Sequence, residues 1–359
     1  MFSGQQIPIV KPEQPVNPEQ LTARMLECLY TGALKYGNRF SMELQRRLAE
    51  ELELPDSRQL LVTVSGTAAL LLAVVGCAGP AKPGDVALLP AFTFPATAEV
   101  LVQLGYRLRF VDVAPDTWTV DPAVVARALT EEDRARLVLS VDTFGNPADY
   151  EVLRPLCDDA GVALVADSAA GLGSRHQGLP LAQQAHAHSF SMSFAKVLSA
   201  GGAGGAVVLP EETELDPRAG WTRSLLMTEL HAIAALDQLP MLEEMVVRRN
   251  AIANIYSQGL KALKGLRLQY IRPGNRSSQV HWVMQVEEGR ELMEAELQAR
   301  GIQTKRYYRA LHRGPWGPQN GLPVTDALHD QVLALPMFSQ LSDSKALQIV
   351  EAVRNSLCA

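Results

Sequence analysis

Short apolar runs recur through the first two thirds of the chain, at residues 60–64, 86–90, 108–113, 137–141, 162–167, 189–192 and 206–209. Runs that are apolar at successive positions belong to strands buried on both faces. Between them, near 95–104, 121–129 and 150–160, the apolar positions take helical spacing. This alternation predicts an α/β fold with a mostly parallel sheet and right-handed crossovers. Upstream, residues 1–20 carry Pro8, Pro12, Pro15 and Pro18 and read as an extended arm lying across a surface, with helix excluded. Residues 21–54 read as two helices joined by a turn near Gly37 and Asn38. From about residue 225 one long helix is expected, with Leu230, Ile233, Ala234, Leu236, Leu239 and Leu242 on apolar positions. Beyond it, residues 266–270, 280–286 and a helix over 344–357 suit a small α+β unit. The expected division is an arm and large α/β domain over 1–240 and a small α+β C-terminal domain over 241–359.

Composition narrows the function classes. Hydrophobic residues make up 47% and charged residues 20% of 359, enough for a large core and unlike a disordered chain. The net charge of −6 and the scattered basic residues leave no footprint for nucleic acid or an anionic membrane, so small molecules are the expected partners. Cys28, Cys77, Cys157 and Cys358 form no Cys-x-x-Cys pair, which predicts reduced thiols in a cytoplasmic protein and no zinc site. The apolar run 68–81 is too short to cross a bilayer and contains Pro80, and the start of the chain lacks a basic-then-apolar signal pattern.

Candidate chemistry gathers at three strand ends. Ser65-Gly66-Thr67 lies between a strand and an apolar helix, where backbone N–H groups and the positive helix end make an anion cradle; a simple serine or threonine N-cap is the plainer reading. Asp167 ends the run 162–167, and Lys196 follows the run 189–192. No other lysine or arginine occurs between Arg175 and Arg218, so Lys196 is a lone amine among small and apolar residues. Desolvation of such an amine lowers its proton affinity and suits it to Schiff-base chemistry. Ligands of open α/β sheets bind at the carboxyl ends of the strands, where all three groups would meet. A phosphate cradle, a carboxylate and an isolated lysine are what pyridoxal 5'-phosphate (PLP) requires: an amine to form the imine, an acid to keep the pyridine nitrogen protonated, and a helix end for the phosphate. Phe94, just after another strand end, is placed to cover the ring.

With these residues in view, the chain resembles the DegT/DnrJ/EryC1/StrS family of PLP-dependent sugar aminotransferases. The resemblance rests on Ile7-Pro8-Ile9 with Lys11-Pro12, Ser65-Gly66-Thr67-Ala68-Ala69-Leu70, Pro90-Ala91-Phe92-Thr93-Phe94-Pro95-Ala96-Thr97-Ala98, Phe110-Val111-Asp112-Val113, Phe144-Gly145-Asn146-Pro147-Ala148-Asp149, Phe190-Ser191 with Lys196 and the glycine run after it, Met227-Thr228-Glu229-Leu230 and Gly301-Ile302-Gln303-Thr304. It implies PLP fold type I, aspartate aminotransferase-like, in a homodimer with shared active sites. It implies Lys196 and Asp167 as catalytic residues and Gly66, Thr67, Phe94, Asp167, Ser191 and Lys196 as cofactor-binding residues, with Ser224 of the partner subunit as a possible phosphate contact. The implied reaction moves an amino group from glutamate or glutamine to a keto sugar, expected to be nucleotide-linked. Departures from the family pattern are Asp142 for a frequent His, Ala170 for Gln or His, Ala195 for Thr, Ala203 for an acidic residue, and Ser224-Leu225-Leu226 for Asn-Tyr-Arg. They leave open another PLP reaction, of elimination or aldol type, or a non-catalytic PLP-binding sensor. Lys305, Arg306 and Arg309 are candidates for a substrate phosphate or form a solvated basic cluster; His281 and His312 match family positions near the site; His186 and His188 are weak metal candidates; and Gly171-Leu172-Gly173 reads as loop structure.

Overall fold

Each of the seven apolar runs becomes a strand of one sheet. The computed structural model describes residues 6–215, 220–316, 319 and 321–357. The strands are β1 (Arg58–Thr63), β2 (Val86–Pro90), β3 (Arg107–Val111), β4 (Ala135–Val141), β5 (Ala163–Asp167) and, after a small hairpin of β6 (Arg175–His176) and β7 (Leu179–Pro180), β8 (Ala187–Ser191) and β9 (Gly205–Pro210). Their order is β1-β9-β8-β5-β4-β2-β3, and β9 alone runs antiparallel to its neighbours. Successive residues feed opposite layers: Leu60, Val62, Leu88 and Phe190 face one core, while Leu61, Ala87, Leu89 and Leu139 face the other. This double burial is why the runs are continuously apolar.

Helices α1 (Pro18–Thr31) and α2 (Arg39–Glu51) precede the sheet, and α3 (Gly66–Cys77), α4 (Pro95–Gln103), α5 (Pro122–Glu131) and α6 (Tyr150–Ala160) connect its strands. α3 and α4 cover one face; α2, α5 and α6 cover the other. The small unit contains the antiparallel sheet β10 (Leu266–Leu268), β11 (Trp282–Val286) and β12 (Val332–Leu335), with α10 (Arg290–Ala299), α11 (Pro323–Gln331) and α12 (Asp343–Leu357). Trp282, Met284, Leu333, Leu335, Ile349 and Val353 build its core.

Two expectations need correction. α1 begins inside the stretch expected to be extended, because Pro18 occupies its first turn, where the missing N–H costs nothing; the Asn17 side chain accepts from Gln20 N–H at 3.0 Å. After a short α7 (Gly220–Ser224), the long helix expected from 225 is instead α8 (Glu229–Gln238), a 3-10 turn at Leu239–Met241 and α9 (Leu242–Leu260). Pro240 in that turn cannot continue the hydrogen-bond ladder of α8. Cys28, Cys77 and Cys157 are free thiols, whereas Cys358 lies outside the described residues, as do residues 1–5 of the arm. Among the described residues no helix is long and apolar enough to cross a membrane.

The arm runs extended from residue 6 to Asn17 across its own chain. Ile7 donates to Gly301 O at 2.9 Å and accepts from Gln303 N–H at 3.0 Å; Met337 N–H reaches Ile9 O at 3.0 Å. Further along, the Val16 and Asn17 N–H groups donate to the Asp237 carboxylate at 2.7 and 2.9 Å. Between these anchors Glu13 enters the interior and meets Arg249 at 3.3 Å, with both side chains buried. Burial lowers the proton affinity of the Arg249 guanidinium, and the Glu13 charge opposes that shift. Removing one partner of a buried ion pair leaves an uncompensated charge, so Glu13→Ala should lower the unfolding free energy by about 3–5 kcal/mol in urea denaturation. Adding Arg249→Met should recover much of the loss, and equal stability of wild type and Glu13→Ala would contradict the role of the pair.

Candidate active site

The carboxyl ends of β1, β5 and β8 bring three of the sequence candidates together. Ser65 caps α3, accepting from Ala68 N–H at 3.1 Å, which leaves the first turn of the helix open around Gly66 and Thr67. A Cβ on Gly66 would lie 2.8 Å from Ser191 Cβ and 3.1 Å from its Oγ. Glycine is therefore required there to let the helix start meet the end of β8, a tighter constraint than the ligand approach expected from the sequence. Gly205 opposite is as constrained, since its Cβ would fall 2.5 Å from Ser65 O. Backbone donors and the Ser191 hydroxyl thus share one cradle suited to a phosphate.

Asp167 ends β5 and is buried. One carboxylate oxygen accepts from Thr97 Oγ1 at 2.8 Å and the other from Ala169 N–H at 3.1 Å. Thr97 stands on α4 one turn beyond Phe94, whose carbonyl accepts from Thr97 N–H at 3.1 Å. The same helix start therefore carries a partner of the carboxylate and an aromatic ring that is 60% exposed. Thr97 lies in a run that carries the family resemblance, but nothing in the sequence joins it to Asp167, because a threonine in a first helical turn is ordinary. Burial raises the proton affinity of Asp167; the Thr97 hydroxyl, the Ala169 N–H and the charge of Lys196 oppose it.

After β8 the chain makes a closed loop whose base is pinned by Met192 N–H on Gly204 O at 2.8 Å and Ala200 N–H on Met192 O at 2.9 Å. Lys196 lies within this loop and is half-buried. Desolvation pushes its amine down to about 8; the Asp167 carboxylate works against that shift and Lys305 reinforces it. An amine depressed by burial next to a buried carboxylate is what an imine-forming lysine needs. The cradle, the carboxylate and the amine fit a phosphorylated pyridine aldehyde.

An aromatic cluster stands near the site, coupled by charge to Lys196 through His281 and to Asp167 through Tyr308. Phe144, held at φ 61°, stacks on Tyr308 at 5.1 Å and meets Phe92 edge-on at 6.0 Å. His281 lies 4.6 Å from the Tyr307 ring, and burial, with Lys196 adding to it, depresses its proton affinity well below the usual range. These aromatics come from four separate segments, so no spacing in the sequence joins them. Of the basic candidates, Arg306 is engaged by Glu294 and Glu291, while Lys305 sits over the Tyr307 ring at 4.7 Å. Ser224 is exposed in α7 and donates to Trp221 O at 2.7 Å, away from the cradle contacts of its own chain. His312 pairs with Asp326 at 3.1 Å and His186 with Asp158 at 2.9 Å. Gly173 packs where a Cβ would lie 2.6 Å from Val246, which accounts for that glycine as loop structure.

The chain matches the sequence profile of the "DegT/DnrJ/EryC1/StrS aminotransferase family" over residues 16–220 and 218–354. It is 30% identical to a dTDP-3-amino-3,4,6-trideoxy-alpha-D-glucose transaminase of Streptomyces venezuelae, covering 81% of this chain and 80% of the relative. It is 31% identical to the erythromycin biosynthesis sensory transduction protein EryC1 of Saccharopolyspora erythraea, covering 76% and 79%. Its fold superimposes on S. venezuelae DesV in complex with a ketimine intermediate with a TM-score of 0.86 at 26% identity, over 98% of both chains.

The depressed amine can be read directly. Competitive acetylation of the ligand-free protein should show Lys196 protonated below and reactive above about pH 8. Asp167→Asn should move the Lys196 midpoint down, because the carboxylate holds it up, and Lys305→Ala should move it up. A wild-type midpoint in the ordinary lysine range would refute the desolvated site.

Proposed function

This chain belongs to the DegT/DnrJ/EryC1/StrS aminotransferase family, and from that premise we propose that it transfers an amino group from glutamate or glutamine to a nucleotide-linked keto sugar. The observation that carries the reading is the desolvated Lys196 amine beside the buried Asp167 carboxylate, next to an open helix start. PLP, when bound, supplies the electron sink that lets a carbon–hydrogen bond next to nitrogen be broken. The rest falls to the chain. Lys196 would anchor the cofactor, and its Nζ, when free, would take and return a proton at the substrate carbon. Asp167 would hold a proton on the pyridine nitrogen through a charge-assisted bond of roughly 1.5–3 kcal/mol. Gly66, Thr67 and Ser191 would hold the phosphate, and Phe94 would cover the ring.

The fully assembled site is proposed to be that of a homodimer, with Ser224 contributed by the partner subunit. Leu26, Leu29, Tyr30, Leu34 and Met42 are exposed on and between α1 and α2, with Tyr30 at 86%, an apolar surface of the kind that marks association. Lys305, over the Tyr307 ring, is assigned to the acceptor's phosphates, with the exposed Arg309 the other basic candidate. The dTDP-sugar named for the S. venezuelae relative supports this acceptor class. The retained Lys196 and Asp167 favour catalysis over a purely sensory role.

Borohydride treatment of the yellow holoprotein, followed by peptide mapping, should find the cofactor on Lys196; a label on another lysine would overturn the assignment. In single-turnover measurements Asp167→Asn should keep the fold and lose most of the donor half-reaction. Loss of only a few-fold would remove that role. Lys305→Ala should raise the acceptor's KM and leave the donor half-reaction intact, because the donor has no phosphate to lose; equal damage to both would contradict its assignment.

A further inference from the structure

Behind Asp167 lies a second buried carboxylate that the roles above do not use. Asp142 follows β4 and is 1% exposed. Its Oδ1 accepts from Ala148 N–H at 2.9 Å and Tyr150 OH at 2.8 Å; its Oδ2 accepts from Ser168 Oγ at 2.5 Å. Ser168 in turn contacts His188 Nδ1 at 2.9 Å, and His188 Nε2 lies 2.8 Å from Ala185 N–H. These contacts fix every proton. Ala185 N–H donates to Nε2, so the ring proton sits on Nδ1 and donates to Ser168 Oγ; the Ser168 hydroxyl then donates to Asp142. The chain of bonds has one polarity and ends on a carboxylate.

Ser168 is the residue between the two backbone groups that locate Asp167. Asp142 N–H donates to Asp167 O at 3.1 Å on one side, and Ala169 N–H donates to Asp167 Oδ1 at 3.1 Å on the other. A tether on the Ser168 side chain therefore sets the turn that aims Ala169 N–H at the Asp167 carboxylate. We propose that Asp142 is a positioning residue for the reaction, acting through Ser168 to hold the end of β5 and the orientation of the Asp167 carboxylate. The inference rests on the role proposed for Asp167.

The electrostatics agree with the geometry. Burial pushes Asp142 up to about 6, its three donors pull against that, and the nearby Asp167 charge adds to the rise. Burial shifts the other titratable groups facing this network as well. Burial holds His188 well below the usual range, with Arg58 and Arg154 adding to that, and holds Tyr150 well above its own. His176, 5.5 Å from the Tyr150 ring, is likewise lowered by burial, and Asp167 is raised by it. Below about pH 6 Asp142 takes up a proton, and the Ser168 hydroxyl loses a charged acceptor.

Two variants separate positioning from mere stability. Ser168→Ala cuts the tether and leaves Asp142 bound to Ala148 and Tyr150. Asp142→Asn keeps the shape but aims two donors at Ser168 Oγ, since His188 cannot move its proton while Ala185 holds Nε2. On the holoprotein, both should weaken PLP binding roughly tenfold or more, the scale of one lost hydrogen bond to a charged group. The visible band of the bound cofactor should show a titration near pH 6 in wild type that Asp142→Asn abolishes and Ser168→Ala shifts. Lower melting temperatures with unchanged PLP dissociation constants and unchanged band titration would overturn the inference. Should Asp142→Asn fail to fold, Ser168→Ala decides alone on the same two readouts. An Asp167→Asn variant indifferent in both would instead sink the role of Asp167 itself, whereas a severe Asp167→Asn beside silent 142 and 168 variants would sink only this inference.

Discussion

A sheet that is apolar on both faces has no room for charge except at the ends of its strands, and this constraint shapes everything else in the molecule. Strands β2 and β8 are buried at every position, yet β5 terminates in a carboxylate and the loop beyond β8 carries an amine. The groups proposed to do chemistry are therefore crowded at one rim, where they are shielded by the layers that exclude water from the core. Desolvation is the largest cause both of the lowered lysine and of the raised aspartate. The same burial that stabilises the fold thus tunes the groups proposed to react.

Much of this was legible in the chain because double burial leaves so plain a trace. The seven runs could be read as strands without any partner, and Lys196 stood out by the absence of neighbouring charge. The antiparallel course of β9 was not legible, since an apolar run carries no direction. β12 was hidden because Val332–Leu335 follows α11 without a break. Pro240 was visible, yet the apolar spacing continued across it and masked the break. The site was half legible. Residues at strand ends could be named one at a time, whereas the aromatic cluster and the bonds of Thr97 and Asp142 join segments far apart in sequence, and only the folded chain supplies those distances.

Asp142 shows how a departure from a family pattern can be understood physically. Read alone, it replaces a frequent histidine. In the fold it stands with Tyr150, Ser168 and His188, four polar side chains that satisfy one another in a dry interior. Such a set changes as a unit, because a single member without the others would leave a buried donor or acceptor unpaired.

The arm carries a further consequence, for the order in which the protein is made. Residues 6–17 are made before the elements they dock on: Ile7 pairs with Gly301 and Gln303, and Glu13 with Arg249, Ser339 and Gln340. Throughout synthesis of the large sheet the arm must wait unpaired, with one acidic side chain destined for the interior still in water. Its docking is the most non-local event in the chain and depends on the small sheet being complete. The arm is thus a late-closing seam, and a nascent chain halted before residue 301 could complete its large sheet and still lack the strand partner that holds Ile7.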